Sequence, residues 1–272
     1  MTMAEDVIKN KSLSIRVCSN GLSFCTYSPG SDAPFEYVDL DVNHTISLAA
    51  NLKTALLTEP VLKADYQRVN VLISTPRFTT VPVAAFDKED VRDVHGFVFP
   101  KDKSQHVSYN VLRRSGLAIV FGMDKNIYQL LLDDYPRARF YASASTLIEF
   151  FGEKSLIGRG KNMYAYLHEK DMTVYAFDQG HMLFVNTFTV STVNDMQYFI
   201  LNVWKELGFD QVADALSVVS DRIGVAKELV EKIKYFLLNA DVIDRSDDFR
   251  DKLTKGNTMI PYDLQTLLVC GF

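Results

Sequence analysis

The chain has 272 residues, of which 47% are hydrophobic and 23% charged, and its formal net charge is −5. This composition is typical of a globular protein with a sizeable core, in one large domain or two of ordinary size, and it excludes a disordered chain. The acidic balance argues against a general nucleic-acid binder, because contact with phosphates needs a basic face.

The sequence also bears on where the protein resides. No apolar run reaches the length of a membrane span, and the first residues have no apolar segment typical of a signal peptide. The three cysteines, Cys18, Cys25 and Cys270, lack ligand-like spacing and indicate reduced thiols. We therefore expect a cytoplasmic protein, in which a Cys18–Cys25 bridge across a hairpin is the less favoured interpretation.

The first predicted element is a hairpin at residues 13–27. Alternating apolar residues predict its two strands, and the Asn-Gly pair at 20–21 predicts a tight turn with positive φ angles. A third strand at 35–42, a helix capped by Thr45 and a buried strand at 69–74 follow. The last strand is expected to lie parallel to the first, which makes one α/β unit.

Residues 76–142 are predicted to form an inserted subdomain. Its pattern indicates two strands, a helix and a further strand, at 106–114, 117–123, 126–135 and 137–141. After a short helix, Gly158-Arg159-Gly160 is the best candidate for a linker. We therefore expect one half of the chain at 1–157 and the other at 158–272.

The opening pattern returns beyond this linker at a constant offset of 150 residues. The apolar positions of the first hairpin correspond without a gap to those of a second one, at Met163, Ala165, Leu167, Met172, Val174 and Ala176. A third strand at 182–189 again follows, and the half ends with a helix at 261–269. This self-similarity predicts duplication of one α/β unit. A chance likeness between two amphipathic hairpins is the alternative.

Two β-β-β-α-β-α units, with a β-β-α-β subdomain inserted in the first, resemble the actin-like ATPase fold, which is ribonuclease H-like. The run HVSYNVLRRSGLAIVFGMDKNIYQLLLDDYPRARFYASASTLIEFF, at residues 106–151, is similar to the inserted part of pilus-assembly actin-like proteins. The whole chain resembles a family of uncharacterised bacterial proteins with this fold. The resemblance implies an α/β protein with a duplicated framework.

The resemblance also implies a nucleotide site between the halves, in which the first turn of each half holds phosphate. Each such turn normally carries an Asp that holds the metal and a Gly that lets the backbone approach phosphate. Here the Asp positions fall on Arg16 and Tyr166, and the Gly positions on Cys18 and His168. The adenosine-side turn, in which two glycines are expected, is Ser220-Asp221-Arg222.

The departures from the family pattern predict that ordinary ATP hydrolysis has been lost. A site without its metal ligands cannot neutralise the charge that develops on a transferred phosphoryl group. We expect no catalytic residue, no cofactor and no metal; ATP and magnesium belong only to the alternative interpretation. The candidate interdomain cleft comprises Arg16, Ser19, Asn20, Gly21, His168, Glu169, Lys170, Ser220 and Asp221.

Several polar groups have competing interpretations. Arg16 could bind an anion or pair with an acidic residue across the cleft; more simply, it is an exposed side chain on the polar face of a strand. Asp39, Asp41 and His44 could approach one metal ion, although a polar strand face before a helix cap is the commoner arrangement. The charged run at 244–251 indicates a solvated connector.

Two functions from different classes follow from this sequence. The favoured one is a non-catalytic module that binds a protein partner or acts as a scaffold. The alternative is an active nucleotide-binding ATPase or a sugar-kinase-like phosphotransferase with unusual loops. Magnesium-dependent ATP binding distinguishes the two.

Overall fold

A computed structural model of the chain describes residues 11–28, 35–157, 160–249 and 259–270. The chain divides into two compact units, Met1–Ser145 and Thr146–Phe272. Two residues of the expected linker, Gly158 and Arg159, lie outside the described residues. The division expected after residue 157 stays a prediction.

The first unit is built on a five-stranded sheet with the order β3-β2-β1-β4-β8. Its strands are β1 (Ser12–Val17), β2 (Gly21–Tyr27), β3 (Phe35–Asp41), β4 (Arg68–Ile73) and β8 (Arg139–Ala142). The first three strands are antiparallel neighbours, and β4 lies parallel to β1, as its continuous apolar sequence predicts.

Helix α1 (Leu48–Thr58) begins later than predicted. Ser47 is its N-cap and accepts a hydrogen bond from the Ala50 backbone N–H at 3.1 Å. Thr45 is not the cap, because its hydroxyl and backbone N–H both donate to Asn43 Oδ1. Both residues have the right hydroxyl for a cap, so the local sequence does not distinguish them.

The inserted part of the first unit is a three-stranded sheet with the order β5-β7-β6. It consists of β5 (Phe78–Pro82), β6 (Gln105–Leu112), β7 (Leu117–Asp124) and two helices, α2 (Val91–Val98) and α3 (Lys125–Asp134). Two parts of the prediction are wrong: β5 was not predicted, and β8, expected in this subdomain, pairs with β4 in the main sheet. Alternation of apolar residues indicates that a segment is a strand, but not which strand it pairs with.

Asn110 on β6 connects the inserted sheet to the main one. Its Nδ2 donates to the Phe140 carbonyl at 2.8 Å, and its Oδ1 accepts from the Ala142 backbone N–H at 2.9 Å. The same Oδ1 accepts from the Ser145 hydroxyl at 2.8 Å. The amide of Asn110 therefore bonds the backbone of β8 in the way that a neighbouring strand would.

His95 is the buried polar residue of helix α2. It is 4% exposed, and its imidazole lies 4.9 Å from the Phe99 ring. Gly122 on β7 makes room for it, because a Cβ at that position would lie 2.8 Å from His95 Nε2. Burial lowers the pKa of His95; a hydrogen bond with the Arg77 backbone opposes that shift, and the Arg77 charge reinforces it.

The lowered pKa of His95 predicts a loss of stability in mild acid. The unfolded chain takes up a proton near pH 6.5 and the folded chain only at lower pH, so the free energy of unfolding falls as the pH drops through 6.5. His106 contributes in the same direction, because burial lowers its pKa too. Between pH 7.5 and 5.5, we expect the free energy of unfolding of His95→Gln to fall less than that of the unmodified chain. Urea unfolding at the two pH values measures this difference. His181→Gln, at an exposed site, is the matched control and should show the full loss; an equal loss in His95→Gln would contradict the prediction.

The second unit contains a five-stranded sheet with the order β11-β10-β9-β12-β13. Its strands are β9 (Lys161–His168), β10 (Asp171–Asp178), β11 (His181–Thr189), β12 (Ala215–Ser220) and β13 (Asn239–Val242). Its helices are α5 (Val193–Glu206), α6 (Ile223–Ile233), α7 (Arg245–Phe249) and α8 (Tyr262–Cys270). Helix α4 (Ser143–Ser155) contains the division between the units.

The hairpins of the two units have the same register under the offset of 150 residues. Ile15 pairs with Phe24 in the first unit, and Ala165 pairs with Val174 in the second. The parallel strands also pair at corresponding positions: Ser12 of β1 pairs with Arg68 of β4, and Asn162 of β9 pairs with Ala215 of β12. The offset therefore relates structurally corresponding strands. Descent of both units from one duplicated unit stays a prediction.

Both faces of the second sheet are covered. One face carries the aliphatic core with Trp204, which includes Met163, Ala165, Leu167, Ile200, Val218 and Leu229. The other face carries an aromatic cluster, in which the Phe151 ring stacks on Tyr164 at 4.3 Å and lies 5.9 Å from Tyr262. Within the part of the chain that the structure describes, no helix is long and apolar enough to cross a membrane.

Candidate functional site

The turn of the first hairpin is shorter than the sequence suggests. The backbone N–H of Cys18 donates to the Gly21 carbonyl at 3.1 Å, so Ser19 and Asn20 form a two-residue loop. Gly21 is the first residue of β2, and neither Asn20 nor Gly21 has a positive φ. The predicted Asn-Gly turn with positive φ angles is therefore wrong; the loop lies one residue earlier.

Arg16 is buried, not exposed. It lies on β1 at 5% exposure, and its Nη1 donates to Cys18 Sγ at 3.1 Å. In the sheet register it lies beside Ser23, which lies beside Asp39, and the Ser23 hydroxyl donates to Asp39 Oδ1 at 2.7 Å. The simpler interpretation of Arg16 is wrong, because alternation cannot reveal that both faces of a strand are covered.

The charges of this polar row act on Tyr37, which lies on the same strand as Asp39. Burial raises the pKa of Tyr37 to about 12; Asp39 adds to the shift, and Arg16 opposes it. Both charges therefore lie close to one phenol. The row joins complementary polar groups of the first sheet, from the buried Arg16 and Ser23 to Asp39 at an exposed position.

The two cysteines of the first hairpin do not face each other. Cys25 pairs in register with Ser14, and burial raises the pKa of its thiol to about 12. Cys18 Sγ contacts Arg16 and donates to the Gly21 carbonyl at 3.2 Å. The structure contains no disulfide between them.

The acidic residues Asp39 and Asp41 lie near the end of β3. Asp39 accepts the Ser23 hydroxyl, and His44 is exposed in the loop that follows β3. Over residues 11–28, 35–157, 160–249 and 259–270, no three His, Cys, Asp or Glu side chains are grouped to hold a metal ion.

The turn of the second hairpin consists of Glu169 and Lys170. Glu169 has a φ of 53°, in the left-handed region that tight hairpin turns commonly use. His168 and Asp171 are paired strand residues on either side of the turn. The Asp171 carboxylate accepts a hydrogen bond from the Thr189 hydroxyl at 2.9 Å.

The loop after β12 is anchored to this turn by Arg222. The guanidinium donates from Nη2 to the Glu169 carbonyl at 2.8 Å, and the Arg222 backbone N–H donates to the Ser220 hydroxyl at 3.0 Å. Asp221 forms an ion pair with Arg245, with 2.7 Å between Oδ1 and Nη1. Two arginines of the second unit therefore hold the loop in which the resemblance predicts the adenosine-side motif.

The charged run that begins at Asp244 is not a solvated connector throughout. Arg245 is 9% exposed and donates from Nη2 to the Ile260 carbonyl at 2.8 Å. Asp248 forms an ion pair with Lys154 and accepts from the Tyr262 hydroxyl at 2.6 Å. Residues 250 and 251 of the run lie outside the described residues.

The side chains at the expected metal positions do not suit magnesium. Magnesium prefers anionic oxygen ligands in octahedral geometry, whereas these positions hold the buried guanidinium of Arg16 and the phenol of Tyr166, which is 2% exposed. The Cys18 thiol and the His168 imidazole stand at the two glycine positions. The residues present therefore do not fit magnesium and ATP as the family pattern would hold them.

The structure brings together only part of the predicted site. Within the second unit, Arg222 joins Glu169 to Ser220 and Asp221. His168 is the strand residue before that turn, and Lys170 is the second residue of the turn. Within the first unit, Arg16 contacts Cys18, while Ser19 and Asn20 bond each other at the exposed turn. That the two groups face one cleft stays a prediction. Sequence analysis missed Arg222 and Arg245 as anchors, because their partners are distant along the chain and no local pattern signals them.

A family profile described as "Protein of unknown function (DUF3822)" matches residues 2–239. No match was found among curated proteins.

Solved structures of similar proteins share the fold. A Bacteroides thetaiotaomicron protein "with actin-like ATPase fold and unknown function" is 32% identical, with 98% of each chain covered and a TM-score of 0.85. A protein of the "PilM-PilN type IV pilus biogenesis complex" is 10% identical, with 95% of this chain and 97% of that chain covered and a TM-score of 0.58. The ethanolamine utilization protein EutJ from Carboxydothermus hydrogenoformans is 6% identical, with 95% and 89% covered and a TM-score of 0.50. The last two show the fold alone.

Proposed function

The chain belongs to the protein family of unknown function DUF3822 and has the actin-like ATPase fold, and we propose that it is a non-catalytic module that binds a protein partner. The expected active-site chemistry is replaced by side chains that serve the structure itself. As part of the same proposal we place the module in the cytoplasm, because the spacing of its three cysteines indicates reduced thiols.

One observation carries the proposal: Arg222 spans from the loop after β12 to the Glu169 carbonyl. In the actin-like pattern these two segments hold adenosine and phosphate. A charged hydrogen bond between them fixes both loops against each other. The burial of Arg16 and Tyr166 at the metal positions supports the same conclusion.

A likeness of fold supports the partner-binding role. One structural neighbour, at 10% identity, comes from a complex of two pilus biogenesis proteins. An actin-like fold therefore occurs in a protein that assembles with a partner, and function resides in the sites that a fold carries.

Titration calorimetry with ATP and magnesium tests the proposal. We expect no binding tighter than about 1 mM, which corresponds to about −4 kcal/mol. Arg222→Ala opens the loop contact but restores no metal ligand, so it should also bind no nucleotide. Micromolar, magnesium-dependent affinity in the unmodified chain would overturn the proposal and favour an active ATPase or phosphotransferase.

A further inference from the structure

The strand β11 forms one edge of the sheet in the second unit. It is nine residues long and pairs with β10 on one side. On its other side, no strand that the structure describes pairs with it. An edge of this kind presents backbone donors and acceptors to any chain that meets it.

Two hydrogen bonds show which backbone groups of this edge point outward. The Val190 N–H, directly after β11, donates to the Lys170 carbonyl at 2.8 Å, on the side of β10. The Thr187 N–H instead donates to the side-chain Oδ1 of Asn186 at 2.9 Å. Because the direction of these groups alternates along an antiparallel strand, Val185 and Thr187 present their N–H and carbonyl groups to the outside.

The other sheet edges that the structure describes each carry a protecting feature. The strand β3 has three carboxylates, at Glu36, Asp39 and Asp41, and β5 ends at Pro82. The strands β8 and β13 have only four residues each, and β6 is joined to β8 by the Asn110 amide. Charges, prolines, short length and covering groups are the usual means by which proteins prevent strand addition.

The edge at β11 is less protected than these. Its sequence, HMLFVNTFT, contains no Lys, Arg, Asp, Glu or Pro. It has one irregularity, a register shift opposite Ala176 and Phe177, which leaves residues 184–189 in regular pairing with β10. Six consecutive residues can therefore accept another strand.

Apolar side chains accompany this open edge. Phe184 and Phe188 are partly buried against the core of the second unit, and Leu183 is 42% exposed. On the neighbouring helix α5, Phe199 stacks on Phe188 at 4.5 Å, and Tyr198 is 65% exposed. A chain that pairs with β11 buries part of this apolar surface in addition to bonding the backbone.

The composition of β11 favours a second copy of the same strand as the occupant. When two identical antiparallel strands pair about a two-fold axis, residues near the axis lie opposite their own copies or close neighbours of them. A charge at the centre therefore meets the same charge, which is destabilising. The carboxylates of β3 would repel their own copies in this way. The central residues of β11, Val185, Asn186 and Thr187, carry no charge.

We propose that the protein forms a two-fold symmetric dimer in which β11 pairs antiparallel with β11 of a second copy. The two five-stranded sheets then form one continuous sheet of ten strands. The Thr187 N–H exchanges its bond with Asn186 for one with a backbone carbonyl of the second copy. This exchange costs little, because the exposed Asn186 amide returns to water. The dimer goes beyond the partner-binding function and does not depend on it.

Sedimentation velocity of the full chain over a range of concentrations tests the dimer. We expect the mass to rise from that of one chain, 30.8 kDa, to twice that value at concentrations up to about 100 μM. Hydrogen exchange of the Val185 and Thr187 amides should slow over the same range, because both groups become bonded to the second copy.

Charges at the centre of the strand test the pairing itself. Asn186→Lys and Asn186→Glu should each weaken dimerisation at least about tenfold, because like charges then meet across the axis. An equimolar mixture of the two variants should restore the dimer, because opposite charges meet. The matched controls Gln211→Lys and Gln211→Glu, at an exposed position in the loop before β12, should dimerise like the unmodified chain. Equal far-UV circular dichroism establishes that each variant is folded.

Three outcomes overturn the proposal. A mass of one chain at every concentration excludes the dimer. A dimer that Asn186→Lys leaves unchanged, or in which the Val185 and Thr187 amides stay unprotected, uses another surface. A mixture of the Lys and Glu variants that stays monomeric excludes two-fold pairing at this strand. The partner-binding function is tested separately, by nucleotide affinity in calorimetry.

Discussion

The substitution Asn110→Ala is expected to lower the free energy of unfolding by about 3 kcal/mol. Asn110 is 8% exposed, and three groups outside its own strand depend on it: the Phe140 carbonyl, the Ala142 N–H and the Ser145 hydroxyl. Ala142 is 1% exposed and Ser145 is fully buried, so water cannot replace the amide. The free energy of unfolding falls for two reasons: the hydrogen bonds are lost, and the buried polar groups are left without partners.

Chemical denaturation with hydrogen exchange at β8 measures this effect. The Ala142 amide should exchange much faster in the variant, because its acceptor is gone. Asn186→Ala, on the exposed side of β11, is the matched control and should stay within about 0.5 kcal/mol. Unchanged protection of Ala142 would contradict the role assigned to Asn110.

The substitution Asp214→Ala should cost a similar amount, about 3 kcal/mol, in the second unit. Asp214 is 6% exposed, and each carboxylate oxygen accepts one backbone N–H at 2.7 Å, from Lys161 and from Asp210. Gly160 has a φ of 82°, and a Cβ there would lie 2.7 Å from Asp214 Oδ1. The carboxylate thus fixes the start of β9 against the loop that leads into β12.

Fluorescence of the single tryptophan, Trp204, reports this unfolding, because it lies in the core of the second unit. The free energy of unfolding of Asp214→Asn should lie between those of the unmodified chain and of Asp214→Ala. Its amide keeps one acceptor oxygen but turns an N–H group toward a backbone donor. Asp241→Ala, at an exposed position, is the matched control. A loss below about 1 kcal/mol in Asp214→Ala would show that the two backbone groups find other partners.

Local patterns predicted the strands of both hairpins well. Alternation and apolar runs placed β2, β4 and β11 within one or two residues of their bounds, because the period of side chains is a property of the strand itself. The constant offset of 150 residues also predicted which strands of the two units correspond.

The partners of these elements were not predictable from local pattern. The pairing of β8 with β4, and the bond from Arg222 to Glu169, join segments far apart in the chain. Burial of Arg16 depends on what covers the second face of its strand. Departures from a family pattern therefore indicate the candidate site in the sequence, whereas the contacts of its side chains are seen only in the structure.

The amide of Asn110 has a consequence for solubility. An edge strand presents a row of backbone donors and acceptors to any other chain, and this is how sheets aggregate. At β8 the Asn110 side chain of the inserted sheet bonds the Phe140 carbonyl and the Ala142 N–H. These two groups are therefore not free to pair with another chain. The insertion thus shields a four-residue strand that would otherwise recruit a second copy, and a chain without it should aggregate before it unfolds.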